Sequence, residues 1–424
     1  MARTLFTLDG IEALAEEIPA GKRELAGLMH SAWEDGTPMI PVGGGTKLHI
    51  GNIPQAASMV IRTTGLRGVV EYEPDNMTIS ALAGTTLAEL QKTLESAGQF
   101  LPLDPPLPEQ ATLGGLVAAN SSGAIRYRYG TLRDLLIGVK ILLPDGTETK
   151  AGGKLVKNVT GYDMCKLYTG SFGTLGILTE LTFKVQPIPE SLATVLLEFS
   201  TFQDAHDASL VIMRVEFAPE ALEIWNRRAL ESALQQSFRD AWYLLVRFGD
   251  VAPAVNWQLQ RLHEIALDMQ CSIVGGVGTE QTERVWRAMA SAKESSSPGE
   301  TALLKCCTLH DGSPQVAVQL ETIAKALGAD LALFCHAGNN ILYGRMDWEG
   351  EPVDTEALVR ELLSLRALCR SKGGHMVVER IAPTVKRGLD VWGYDAPALD
   401  LMRKIKREFD PKALLNPGRF VGGI

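Results

Sequence analysis

The sequence has 424 residues, 46% hydrophobic and 21% charged; this predicts two or three domains of ~100–200 residues and excludes a disordered or low-complexity chain. The 41 Lys and Arg against 50 Asp and Glu leave a net charge of −9, which disfavours a nucleic-acid binder and a basic protein of membrane surfaces. No apolar run approaches the ~18–20 residues of a membrane span, and the first ten residues lack the long apolar centre of a secretory leader.

In chain order, the apolar pair Met39-Ile40 predicts a strand that feeds the loop Pro41-Val42-Gly43-Gly44-Gly45-Thr46-Lys47. Residues 59–63, 68–73 and 78–83 are strand-length β-branched runs separated by turn residues. Thr86-Leu87-Ala88-Glu89 reads as a capping box, with Leu87, Leu90 and Leu94 on one helical stripe and Gly98 as the stop. Residues 137–143 form a strand that enters a turn at Pro144-Asp145-Gly146. The prolines of Val185-Gln186-Pro187-Ile188-Pro189-Glu190 deny helix and central strand alike, so a domain boundary is expected there. Residues 191–333 read as alternating strands and amphipathic helices without internal repeats of solenoid period. Ser295–Gly299 reads as a surface loop, and residues 381–424 as a third zone rich in Pro, Gly and basic residues. Its helix carries Leu399, Met402, Ile405 and Phe409 as a stripe for packing within the molecule.

Three glycine clusters dominate the first zone: Gly43-Gly44-Gly45; Thr112-Leu113-Gly114-Gly115 with Asn120-Ser121-Ser122-Gly123 and Gly130; and Lys157-Asn158 to Gly161-Tyr162-Asp163, followed by Gly170, Gly173 and Gly176-Ile177. Without Cβ atoms, such segments let backbone N–H groups converge on an anion such as a pyrophosphate. The first cluster is no dinucleotide fingerprint of the Gly-x-Gly-x-x-Gly type, because Pro54 interrupts the helix that should follow. Gly152-Gly153-Lys154 is no P-loop, because Leu155 replaces Ser or Thr. Taken singly, each cluster also reads as a connector, a helix–sheet contact or a strand turn; three of them between Pro41 and Ile177 point to one large flat ligand.

Pro41-Val42-Gly43-Gly44-Gly45-Thr46, Thr112-Leu113-Gly114-Gly115 with Asn120-Ser121-Ser122-Gly123, and Gly170-Ser171-Phe172-Gly173-Thr174-Leu175-Gly176-Ile177 resemble the flavin loops of the vanillyl-alcohol-oxidase/PCMH flavoprotein family. Leu414-Leu415-Asn416-Pro417-Gly418-Arg419 resembles that family's C-terminal signature. Within the family the chain resembles the bacterial glycolate oxidase and D-lactate dehydrogenase branch. Lys157–Asp163 and Asp390-Val391-Trp392-Gly393 lean toward the second flavin subunit (E subunit) of glycolate oxidase.

The resemblance implies an α+β fold: a PCMH-type FAD-binding domain of two α+β subdomains over residues 1–187, a ferredoxin-like α+β cap over 188–380, and a C-terminal segment, 381–424, that returns to the FAD domain. It implies that the Gly43–Thr46 loop binds the pyrophosphate, that Gly114, Gly115, Asn120, Ser121 and Gly123 line the diphosphate and flavin side, and that Ile177 lies toward the adenine. Pro41, Val42, Pro105, Thr112, Gly130, Gly173, Gly176 and Asn416 complete the implied cofactor set.

Catalytic members of this branch resemble one another in His-x-Gly-Asp-Gly-Asn-x-His, whose histidines bind a divalent metal, and in Gly-Gly-(x)3-Gly-Glu-His. Here the first reads His336-Ala337-Gly338-Asn339-Asn340-Ile341-Leu342-Tyr343, and the second His falls on Tyr343. The second reads Gly373-Gly374-His375-Met376-Val377-Val378-Glu379-Arg380, with Arg380 at the basic His position. Arg is a poor base but suits a carboxylate. His375, Glu379, Arg380 and His336 are the catalytic candidates, and the incomplete ligand set argues against a bound metal. His336 reads equally as a buried core histidine, and Glu379–Arg380 as a local ion pair.

Cysteines 165, 271, 306, 307, 335 and 369 form no Cys-x-x-Cys, so a zinc ribbon and a ferredoxin-type cluster are unsupported; Cys306-Cys307 reads as core strand. The expected setting is a reducing cytoplasm, or a membrane reached through partners. Oxidation of a small 2-hydroxy acid by FAD then needs an electron-accepting partner; the resemblance implies an iron–sulfur subunit and a second flavin subunit. A non-catalytic FAD-binding assembly or relay subunit is the alternative. Because no His precedes His49 in the first loop, FAD is expected to be non-covalent. Intact mass after denaturation should match the bare chain; a flavin-sized adduct would refute this.

Overall fold

A computed structural model of the protein describes residues 6–154, 161–294, 300–349, 353–394 and 397–424. Met1–Ser122, Gly130–Ile188 and Tyr394–Ile424 form one unit, and Gly123–Tyr129 with Pro189–Gly393 form another. Residues 157–160 of the third glycine cluster and the Ser295–Gly299 tract lie outside the described residues.

In the first unit the apolar runs at 39 and 59 become the strands Met39–Val42 and Met59–Arg62, parallel to each other and to Ala15–Glu17. Helix Lys22–Asp35 buries Leu25, Met29 and Ala32, one stripe at helical spacing, in a cluster with Met39 and Ile61. A second sheet has five antiparallel strands in the order Glu148–Gly152, Leu136–Leu142, Ile177–Lys184, Thr78–Leu82, Val69–Glu73. The expected capping box forms. Thr86 Oγ1 accepts the Glu89 N–H at 3.3 Å, and the Glu89 carboxylate accepts the Thr86 N–H at 2.9 Å. Helix Leu87–Glu95 then turns Leu87, Leu90 and Leu94 into the core.

The C-terminal signature is stitched to this unit beside Met39, whose N–H donates to Leu414 O at 2.7 Å and whose carbonyl accepts the Asn416 N–H at 2.9 Å. A buried ion pair fixes that return. On helix Ala398–Phe409, Lys406 Nζ donates to Asp410 Oδ2 at 2.6 Å, to Thr174 O at 2.8 Å and to Leu415 O at 2.9 Å. Asp410 also accepts the N–H groups of Leu414 and Leu415. Ile405 and Phe409 pack on the core of the five-stranded sheet.

The second unit is built on one antiparallel sheet of eight strands, ordered Ser272–Val277, Ser191–Phe199, Trp242–Asp250, Pro219–Asn226, Asp330–His336, Ile341–Trp348, Glu300–Cys307, His375–Arg380. Each half follows the chain order strand–helix–strand–strand–helix–strand, the ferredoxin-like arrangement, with helices Phe202–Arg214 and Ala252–Asp268 in the first half and Ser313–Ala326 and Thr355–Ser371 in the second. The sequence showed no repeat, yet the topology is duplicated. The two halves meet where Pro219–Asn226 pairs with Asp330–His336, with Glu223 opposite His336. Helices Arg227–Leu234 and Thr279–Ser291 are additions to that plan. The four ferredoxin-type helices bury Ala205, Leu262, Leu320 and Leu362 against alternate strand residues such as Leu197, Leu244, Leu304 and Leu333. Cys306 is a fully buried strand residue.

Two expected boundaries shift. Residues 381–393 stay with the second unit, because Ile381, Val385, Leu389 and Val391 are buried in its core. Gly123–Tyr129 also belong there. Ala124 is buried with Trp225, Arg128 donates to Ala218 O at 2.8 Å and Gly249 O at 2.9 Å, and Tyr129 donates to Glu220 at 2.6 Å. Among the described residues, no helix is long and apolar enough to cross a membrane.

Lys406→Met should destabilise the protein by about 3–5 kcal/mol, because it strands the Asp410 carboxylate in the interior. Urea unfolding of the FAD-loaded protein measures this; a change within error would show that the pair does not hold the C-terminal return.

Candidate cofactor cleft and the polar face of the second unit

Strand Met39–Val42 delivers the chain into the glycine loop, and the loop lies directly on residues 110–115. A Cβ on Gly44 would sit 1.7 Å from the Gln110 carbonyl oxygen, and one on Gly43 would sit 2.1 Å from Thr112 Oγ1. No side chain fits at either position. Thr112 in turn caps helix Leu113–Ala119, its Oγ1 accepting the Gly115 N–H at 3.3 Å. Gly114 rests against strand Thr78–Leu82 and its continuation, its N–H donating to Ala83 O at 2.8 Å, with a Cβ only 2.9 Å from the Ala83 methyl. Gly173 adopts φ +66° beside Pro41.

These approaches leave a cleft of about 750 Å³, open to solvent, within the first unit. Pro41, Val42, Gly43, Gly44, Gly45 and Thr46 line one wall; Thr112, Gly114 and Gly115 line another; Gly173, Gly176, Ile177 and Asn416 line the third. All three segments singled out in the sequence therefore border one space. Of the remaining sequence candidates, Asn120 and Ser121 close the C-terminus of helix Leu113–Ala119, with N–H groups on Val117 O and Leu116 O. Pro105 is buried in the stretch between Phe100 and Leu113. Gly130, at φ +81°, lies against Asp134, and Gly123 belongs to the second unit. The cleft's lining residues include none of these five.

Two cations that the sequence reading passed over also border the cleft, Lys47 and Arg419. Arg419 is 3% exposed and donates to Leu48 O at 2.9 Å, Ile50 O at 2.7 Å and Asn416 Oδ1 at 3.3 Å. It thereby ties the C-terminal signature to the end of the glycine loop. Burial lowers its pKa to about 10, so it remains a cation at neutral pH. Backbone amides and two positive side chains suit a diphosphate, and Leu48, Phe172, Ile177 and Leu178 supply apolar surface for flat rings. The cleft fits a dinucleotide. Lys47 and the final Arg of the signature were legible as basic residues flanking the glycine motifs.

In the second unit, the sheet face opposite the four ferredoxin-type helices carries charge. His336 is 3% exposed, with Nδ1 2.5 Å from Glu223 Oε1 and Nε2 3.2 Å from Lys293 Nζ. A neutral ring that donates from Nδ1 to the carboxylate leaves Nε2 to accept from the ammonium. Burial, reinforced by the charges of Lys293, Arg126 and Lys305, holds the His336 pKa well below its usual range and keeps the ring neutral. Lys293 Nζ also lies 3.9 Å from the Tyr343 ring centroid and 5.6 Å from that of Phe334. Tyr343 is buried, and burial together with Glu379 keeps its phenol protonated.

Arg380 pairs with Glu294. His375 is exposed at the start of the edge strand, where it pairs in register with Cys307. His336 and Glu379 are thus associated with one polar cluster, and Arg380 is engaged beside it. Among the described residues, no three His, Cys, Asp or Glu side chains converge as a metal set. The sequence reading missed Glu223 and Lys293; the available signal was two glutamates, 220 and 223, inside an otherwise apolar strand.

Gly44→Ala should cut flavin retention about tenfold or more, because the loop must leave its seat on the Gln110 carbonyl, a strain of the overpacking kind. Flavin absorbance per chain after desalting reads this directly, and full retention would refute it.

Comparison with known proteins places this architecture. Residues 14–152 match the FAD binding domain family, and residues 188–420 match the C-terminal domain of FAD linked oxidases. The chain is 27% identical over 420 residues to glycolate oxidase subunit GlcD of Bacillus subtilis (strain 168), covering 95% of this chain and 87% of the relative. It is 38% identical over 173 residues to glycolate oxidase subunit GlcE of Escherichia coli (strain K12), covering 41% and 49%. Among solved structures, p-cresol methylhydroxylase with substrate bound superposes with a TM-score of 0.78 at 15% identity, over 96% of this chain and 89% of the other, a likeness of fold. With the second match spanning more than half of its length, the protein belongs to the family of FAD linked oxidases.

Proposed function

We propose that the protein is an FAD-dependent oxidoreductase subunit that takes part in oxidising a small 2-hydroxy acid, glycolate or D-lactate, and passes electrons to an iron–sulfur partner alongside a second flavin subunit. The observation that carries this reading is the cleft of the first unit, where three glycine segments, Lys47 and Arg419 border one space. FAD bound there supplies a hydride acceptor that can give up its electrons singly. Likeness to two subunits of glycolate oxidase supports the hydroxy-acid class and the need for partners. The likeness to the E-type subunit covers 41% of this chain, so the E-like assignment rests also on Lys157–Asp163 and Asp390–Gly393.

In this reading Pro105, Asn120, Ser121, Gly123 and Gly130 support the cofactor, together with the residues that line the cleft. Arg380 grips the substrate carboxylate once Glu294 yields, and Glu379 holds the local field. His375, exposed and unprotonated near neutral pH, takes the hydroxyl proton. His336 orients its neighbours from the interior.

One observation favours the alternative of a relay or assembly subunit: His336 and Arg380 are both engaged by side chains of this chain. Anaerobic mixing of the purified, FAD-loaded protein with glycolate and with D-lactate separates the two. Bleaching of the flavin band that is lost in Arg380→Ala and His375→Ala supports catalysis by this chain. An unmoved spectrum that bleaches only after partner subunits are added supports relay. Failure to retain flavin at all would sink both.

A further inference from the structure

In catalytic members of the branch that the sequence resembles, histidines at the positions of His336 and Tyr343 bind a divalent ion; the incomplete ligand set already argues against one here, and the side chains around His336 do not fit one. The atom of His336 that would ligate the ion is Nε2, since Nδ1 is taken by Glu223. An imidazole nitrogen holds a divalent ion such as zinc at about 2.0–2.1 Å along its lone pair. That lone pair already faces the Lys293 ammonium at 3.2 Å. The ammonium is nine-tenths buried and seated on the Tyr343 ring, at the second position of the motif. Both ring positions of the motif therefore contact one side chain, and its charge has the sign of the ion. Entry of a metal would require two cations within bonding distance of one nitrogen, with Asn339 in place of the motif's acid.

We propose that the Lys293 ammonium is a built-in cation in place of the divalent ion, so that this unit binds a small carboxylate anion without metal. Glu223 makes this possible by fixing the His336 tautomer, so that the imidazole accepts from the ammonium instead of competing with it as a donor. Two further cations, Lys305 and Arg126, lie close enough to His336 to act on its charge state, and they add to the positive field that an anion would meet. Glu379 and Glu223 bring opposing charge to Tyr343. The anion part of the inference rests on the proposed 2-hydroxy acid reading; the absence of a metal requirement does not.

The FAD-loaded protein, stripped with EDTA and then dialysed against Zn²⁺ or Mn²⁺, should take up no stoichiometric metal by plasma mass spectrometry. Oxalate titrated by calorimetry should bind equally with and without EDTA. Lys293→Met should weaken it about tenfold or more, the loss of one charge-assisted hydrogen bond, while Lys293→Arg keeps most of the affinity. One bound metal per chain, EDTA-sensitive oxalate binding, no oxalate binding, or unchanged affinity in a folded Lys293→Met protein would each overturn the proposal. If Lys293→Met does not fold, the metal count and the EDTA comparison on the unaltered protein still decide. Flavin bleaching by glycolate is read in the same samples. Oxalate binding without bleaching sinks the oxidation reading alone, and bleaching that requires metal sinks this one alone.

Discussion

The first unit depends on how closely one loop approaches another. The Gly43-Gly44 backbone lies on Gln110–Thr112 with no room for a Cβ at either glycine. Thr112 is at once the wall that loop meets and the cap of the next helix. Backbone N–H groups from two separate segments are thereby held near a common space, because the side chains that would keep them apart are missing. At Gly44 the strain from even one methyl has no flexible neighbour to absorb it, since what it meets is the Gln110 backbone; at Gly43 it would meet the Thr112 hydroxyl, which is already committed to capping the next helix.

The C-terminal signature closes the same space from the far end of the chain. Its return is set by buried charge: Lys406 and Asp410 satisfy one another and four backbone groups, and Arg419 satisfies two carbonyls near the glycine loop. Such groups are costly to bury alone and specific when fully paired. A segment more than 350 residues downstream in sequence from Met39 thus docks in one register beside it.

In the second unit the duplicated ferredoxin-like topology has a seam, and the seam carries the chemistry-bearing groups. Strand pairing sets Glu223 opposite His336, and helix Thr279–Ser291 leads the chain toward Lys293. A carboxylate, a neutral imidazole and an ammonium in line carry no net charge as a set, and each satisfies its neighbour. Glu220, Arg247 and Tyr129 make a second such cluster from the same central strand, Pro219–Asn226, and its other neighbour, Trp242–Asp250, with Glu220 accepting from Arg247 and Tyr129 at 2.6 Å.

Local patterns fixed by the chain alone include the strands that feed the loop at 39 and 59, the capping box at Thr86, the strand into Pro144-Asp145-Gly146 and the packing stripe of the last helix. They were legible because turn chemistry, capping and periodicity act over a few residues. The glycine clusters announced one ligand, since glycine is chosen for what its backbone permits. Glu223 stood out only as a glutamate inside an apolar strand, and neither Lys293, 70 residues away, nor the duplication of the sheet gave a sign of its own. Their meaning arises from strand pairing across long loops, which spacing does not encode. The identities of the motifs came from the sequence; that an ammonium faces the histidine of one of them was decided only when burial forced each charge to find a partner.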